Sequence, residues 1–218
     1  MNRRLIPLLL LLSLGGDPLP ACAQSGKVEN LAAPTDPALS AEFKQVLEDK
    51  GYRLTLDGSG LAEIWMRRSL PRRPTKDARG ALYPQIADSS LVGVISFPQP
   101  TTDFRGESLK PGLYTLRYEL IPNDGNHLGV SPNPDFLLLI PIASDPGPTA
   151  TLKYDEVVDL SRKATGTRHP APLSLTQAGA TPSLAKDEED HWVFSTKLKL
   201  ESGEDVALGL IVKGTAAQ

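Results

Sequence analysis

Cysteine is almost absent from this chain. Among 218 residues only Cys22 is present, and it stands at a processing site near the amino terminus. No disulfide framework and no paired C-x-x-C redox or zinc motif can be built from it. An excess of positive charge is also missing: 23 basic residues face 26 acidic ones, for a net charge of −3. Binding to nucleic acid or to an anionic membrane is driven by clustered positive charge, so neither is expected as a partner. Beyond residue 14 no apolar run is long enough to cross a bilayer as a helix, and no transmembrane segment is expected. The spacings that carry catalysis are missing as well. There is no G-x-S-x-G elbow, no H-E-x-x-H, no phosphate-binding glycine loop and no twelve-residue calcium loop. Ser59 lies between Gly58 and Gly60, but Asp57 stands where an elbow needs its first glycine. No cofactor is expected from these patterns.

What is present begins with an export signal. Arg3 and Arg4 precede an apolar core, Leu5 to Leu14, and the small-residue site Ala21-Cys22-Ala23 follows. This is the pattern of a secretory signal peptide spanning residues 1–23, and the mature chain is expected in the periplasm or outside the cell. Cys22 has two readings. Cleavage after Ala23 leaves a mature chain with no thiol; cleavage before Cys22, in a stretch resembling a lipobox, leaves a cysteine carrying a lipid anchor. Loss of residues 1–23 removes Arg3, Arg4 and Asp17, so the mature chain has 21 basic and 25 acidic side chains and a net charge of −4.

Residues 24–35 are small and polar and read as a flexible leader, followed by one domain over residues 36–215. Asp36-Pro37 offers a helix cap, Leu39, Phe43, Val46 and Leu47 follow at helical spacing, and Gly51 stops the run. This short helix is a candidate cover for an apolar strand at Phe136. Tyr52–Leu56 and Leu61–Met66 flank Asp57-Gly58-Ser59-Gly60, a hairpin signal. Leu91–Phe97 reads as a core strand. In Tyr114–Leu120 the apolar residues Tyr114, Leu116, Tyr118 and Leu120 alternate with Thr115, Arg117 and Glu119, the period of a half-buried strand. Phe136–Ile140 is apolar throughout, as in a strand covered on both faces. Tyr154–Lys163 reads as a second short helix, Leu173–Leu175 as an edge strand, and Gln177–Asp190 as a polar connection. Trp192–Leu200 and Val206–Val212 form a second hairpin. The sum is an all-β fold: an antiparallel β-sandwich of about eight strands with one or two short peripheral helices, its strand order open.

Three groups of residues could carry function. His127, His169 and His191 are the only histidines. Brought together at the rim of a β-fold, with Asp124 or Asp135 as a further ligand, they would suit zinc or copper. The loop Pro122–Asp135 is long for a compact domain, and Asp124, Asn126, His127 and Asp135 could line a ligand cleft at one end of the sheet. Arg67, Arg68, Arg72 and Arg73 form a basic loop that could take an anionic partner such as an acidic glycan or phosphate. Each has a plainer counterpart in scattered surface histidines, turn formers bonding their own backbone, and a solvated basic loop.

The phrases Asp103-Phe104-Arg105-Gly106, Pro111-Gly112-Leu113-Tyr114, Asp124-Gly125-Asn126-His127 and Asp135-Phe136-Leu137-Leu138 together resemble a family of exported bacterial β-sandwich proteins of uncharacterised activity. The resemblance implies export and a β-fold, and no functional residue is carried over from it. The leading expectation is an exported, non-catalytic binding module of the cell envelope with a protein or glycan partner. The alternative is a metal-binding protein or metal-dependent enzyme built on the three histidines.

Overall fold

The alternating stretches become strands of a single curled sheet. The computed structural model describes residues 25–73, 80–121 and 133–216, so the signal-peptide residues and Asp124, Asn126 and His127 lie outside the described residues. The main sheet holds β1 (Gly26–Ala32), β2 (Lys50–Leu56), β3 (Ser59–Met66), β4 (Leu91–Phe97), β7 (Gly112–Leu120), β8 (Asp135–Pro141), β9 (Pro172–Thr176), β10 (Ser183–Lys186), β11 (Trp192–Lys199) and β12 (Asp205–Lys213). A separate small hairpin pairs β5 (Thr101–Thr102) with β6 (Ser108–Leu109). Two helices, α1 (Ala41–Val46) and α2 (Tyr154–Thr165), lie outside the sheet.

Strand order is β1-β2-β3-β4-β7-β8-β9-β12-β11-β10, with every neighbouring pair antiparallel. The two edge strands come almost together. A Cβ on Gly26 of β1 would stand 2.6 Å from the Leu184 carbonyl oxygen of β10 and 2.6 Å from the Trp192 ring, so this approach requires glycine. The fold is therefore mostly antiparallel sheet with two helices, as expected, but it is a ten-stranded, nearly closed, barrel-like sheet instead of an eight-stranded sandwich. Period-two alternation distinguishes an inner from an outer face; it does not say whether the inner faces belong to two stacked sheets or to one sheet curled on itself.

Local chemistry explains most elements. Asp57 (φ 49°) and Gly58 (φ 79°) form the two-residue turn joining β2 to β3, a left-handed pair whose twist suits antiparallel strands. A bulge in β4 between Leu91 and Gly93 reverses the in-out parity, so Val92 and Ile95 face the interior while Leu91 and Val94 face out. That shift is why the stretch reads as continuously apolar. The expected helix start at Asp36 is a turn instead: its carboxylate accepts from the Ala38 N–H, and Ser40 caps α1.

Several segments depart from expectation. Residues 26–32, read as leader, form β1, paired along their whole length with β2. Leu173–Leu175, read as an edge strand, lie within β9, inside the sheet between β8 and β12, and residues 183–186, read as connection, form one of its two edges. Phe43 of α1, with Leu39 and Leu47 flanking the helix, packs on Trp65, Leu91 and Val94, while Phe136, Leu138 and Ile140 are covered by Val157 and Val158 of α2.

The inner face is filled with side chains, among them Leu54, Ile64, Leu116, Leu137, Phe194 and Leu208, all fully or almost fully buried. Between β3 and β4, Leu70, Tyr83 and Ile86 join the same core. Tyr83 also closes a weak point of the sheet. Strands β9 and β12 share only two residue pairs, Gly209 with Thr176 and Leu210 with Leu175. The Tyr83 hydroxyl accepts from the Gly209 N–H at 2.8 Å and donates to the Thr176 carbonyl at 2.6 Å, extending the ladder through a side chain.

Candidate functional site

The most charged part of the interior is on β7. Thr115, Arg117 and Glu119, expected on a solvated face, are all buried. Residues 145–152 cross that face and take up its polar groups. Arg117 Nε and Nη2 donate to the two Asp145 carboxylate oxygens at 2.8 and 2.6 Å, Nη2 donates to the Gly147 carbonyl at 2.6 Å, and Nη1 donates to the carbonyls of Ser89 and Ala150 at 2.7 and 3.1 Å. Those contacts use all five guanidinium N–H groups. Asp145 accepts in addition from the Thr115 hydroxyl at 2.6 Å and the Gly147 N–H at 3.0 Å. Every hydrogen-bonding group of the pair is engaged, which leaves nothing to offer a ligand.

Asp135, one of the four loop residues read as a ligand site, is fully buried and serves the fold. Its carboxylate accepts from the N–H groups of Leu82 and Tyr83 at 3.1 and 2.7 Å and holds that stretch against β8. The Tyr118 hydroxyl donates to the Tyr83 carbonyl at 2.9 Å beside it. Asp124, Asn126 and His127 lie outside the described residues.

Two buried carboxyls are less completely paired. Glu119 is 2% exposed, and among the described residues its Oε1 has no hydrogen-bond partner. Burial first, and the Asp88 carboxylate second, push it up to about 8 against the opposing pull of Arg117 and the Ser89 N–H. Asp103 closes the turn between β5 and β6, its Oδ1 accepting from the N–H groups of Arg105 and Glu107, both at 2.9 Å. Its Oδ2 is buried without a partner among the described residues, and burial raises this carboxyl to about 6.

The histidines answer to different neighbours. His191 is buried, with Nδ1 at 3.2 Å from an Asp187 carboxylate oxygen, Nε2 at 3.1 Å from the Thr215 carbonyl, and its ring edge-on to Phe104. It ties the carboxyl-terminal tail to the turn before β11. His169, just beyond α2, accepts from Arg168 Nε at 3.2 Å. Among the described residues no three histidine, cysteine or carboxylate side chains gather in a metal-binding arrangement, and His127, the third member, lies outside that set.

The basic loop is largely neutralised within the molecule. Arg68 pairs with Asp49, Arg73 makes two contacts of 2.7 Å with Asp88, and half-buried Arg67 donates to the Pro148 carbonyl at 3.1 Å. Arg72 is exposed. Unpaired positive charge lies instead at the other end of the barrel, around the β5–β6 hairpin. A groove of about 580 Å3 is floored by Leu109, Leu113, Tyr114 and Ala164, with exposed Lys110 and Lys163 among its lining residues. A second groove, of about 380 Å3, adjoins it at Pro100 and Ser108 and carries exposed Lys213. Among the described residues neither groove is lined by a carboxylate, and none of the three lysines has an ion-pair partner. A third groove of about 360 Å3, near Trp65, is balanced internally by the Arg53–Glu63 pair. The lysines escaped sequence reasoning because they are scattered singly along the chain, and only the curl of the sheet gathers them.

Comparisons of the chain with protein-family models, with curated proteins and with solved structures return no match. Among the described residues no helix is long and apolar enough to cross a membrane.

Proposed function

We propose that the chain is an exported, non-catalytic interaction module of the cell envelope, recognising its partner through the two adjoining grooves around the β5–β6 hairpin. After export it is soluble in the periplasm or outside the cell, or else held at a membrane by lipid on Cys22. One observation carries this reading: in a chain with more acidic than basic residues, these grooves combine an apolar floor with three lysines that, among the described residues, have no ion-pair partner and no carboxylate beside them in the lining. Surfaces that pair a dry apolar centre with a charged rim are suited to recognition. The buried charges elsewhere support it too, since Arg117, Asp145 and Asp135 spend their hydrogen-bonding capacity on the chain itself. The family resemblance in the sequence agrees with export and assigns no activity.

A photo-cross-linking residue placed at Lys163 in the native host tests the proposal, with one at Lys197 on β11 as control. Discrete cross-linked envelope species are expected from position 163 alone. Equal labelling from both positions, or none from 163, would overturn it. Near-stoichiometric zinc or copper in the natively purified protein would overturn it as well, in favour of the histidine-based alternative.

A further inference from the structure

We infer that the partner segment is an extended, acidic stretch of protein in which carboxylates alternate with apolar side chains. This rests on the reading of the two grooves as the recognition surface and names what fits them. Charge sets the first requirement. Lys110, Lys163 and Lys213 bring three positive charges to one end of the barrel, exposed and unpaired among the described residues, and the grooves contribute no negative charge. A cationic partner is repelled there, and a carboxylate-bearing one is attracted and oriented.

The floor sets the second requirement. Over a buried base of Leu109, Leu113, Tyr114 and Ala164, the larger groove is lined by exposed Pro100 and Pro111 and half-buried Pro141, so a ligand seated there removes apolar surface from water. The Tyr114 hydroxyl already donates to the Lys110 carbonyl at 2.7 Å, so its proton is not free for a ligand. A polyhydroxylated glycan would have to desolvate its hydroxyls against a floor with few polar partners, at a cost that apolar side chains avoid. The third requirement is shape. The two grooves meet at Pro100 and Ser108, on the β5–β6 hairpin, so one extended segment can pass from the Lys163 side to the Lys213 side. Among the described residues of the arginine-rich stretch, Arg68 and Arg73 already hold Asp49 and Asp88.

The test is fluorescence anisotropy on the full mature protein with four probes: a fluorescein-labelled peptide of glutamate alternating with leucine and proline, its lysine counterpart, oligoglutamate, and labelled polygalacturonate as a glycan polyanion. Saturable binding of the glutamate–leucine–proline peptide is expected, with oligoglutamate weaker by about tenfold or more for lack of apolar contacts. Lys110→Glu together with Lys163→Glu should weaken the peptide by about tenfold or more, while Arg72→Glu leaves it unchanged. Both variants alter exposed side chains, and matching circular dichroism and melting curves establish that they are folded. Equal binding of oligoglutamate, binding of the lysine peptide, or loss of binding in Arg72→Glu would overturn the inference. Preference for polygalacturonate, lost in the double lysine variant, would overturn the peptide assignment while leaving the grooves as the recognition surface. Absence of binding by every probe, with site-specific cross-linking at position 163 intact, would overturn the partner chemistry alone.

Discussion

Arg117 and Asp145 form an ion pair in which neither side chain has any solvent exposure, with Nη2 2.6 Å from Oδ1. The pair fastens the 145–152 segment to the outer face of β7. A buried pair of this kind is fragile to the loss of one member, because the survivor is left charged without compensation. Arg117→Met should destabilise the protein by about 3–5 kcal/mol, and Asp145→Leu by a similar amount. The double variant Arg117→Met/Asp145→Leu should recover much of that loss, since the two costs share one cause. Urea unfolding of the four proteins measures the coupling. Additive losses, or a single-variant cost below about 1 kcal/mol, would show that the segment is held by other contacts.

Tyr83 supports a second prediction. Its hydroxyl bridges Gly209 and Thr176 where β9 and β12 have almost ceased to pair. Tyr83→Phe keeps the ring packing and strands a buried N–H and a buried carbonyl, at an expected cost of about 1–3 kcal/mol. Hydrogen exchange supplies a local readout. The Gly209 amide should exchange markedly faster in the variant, while amides in the β2–β3 hairpin keep their wild-type protection. Unchanged protection at Gly209 would mean that the backbone closes this gap without the tyrosine.

Legibility in the sequence followed the range of the interactions involved. The β2–β3 hairpin was readable because Asp57-Gly58 is a local turn code, and β11 was readable because Trp192, Phe194 and Leu198 alternate with polar residues. Strands β1 and β10 were not, because Lys27, Glu29 and Asn30 in one, and Ser183 and Lys186 in the other, show no apolar period. As edge strands they take their conformation from the neighbour they pair with. The polar face of β7 looked solvated for a related reason: alternation shows that Thr115, Arg117 and Glu119 share a side, and only tertiary structure shows that residues 145–152 cover it. The lysine-lined grooves were illegible on the same ground, since Lys110, Lys163 and Lys213 belong to different parts of the chain.

Glu119 should make stability depend on pH in an unusual direction. Burial and the nearby Asp88 charge raise its carboxyl from the ordinary 4.5 to about 8 in the folded protein, so between those values the native state holds a proton that the unfolded chain has released. Stability from this group is therefore fully present below about pH 4.5 and declines as pH rises toward 8, at a rate of up to about 1.4 kcal/mol per pH unit. Asp103 acts in the same sense over a lower window, from 3.8 to about 6, so from pH 6.5 to 8 Glu119 is the larger contributor of the two. Glu119→Gln keeps the shape, removes the titration, and should flatten the profile in that interval. The variant should also be the more stable protein at pH 8, where the wild type has begun to bury a carboxylate beside Asp88 with one oxygen unpaired. Urea midpoints at pH 6.5, 7, 7.5 and 8 provide the comparison. Parallel slopes for wild type and Glu119→Gln would place the pH dependence elsewhere and would mean that Glu119 is ionised throughout.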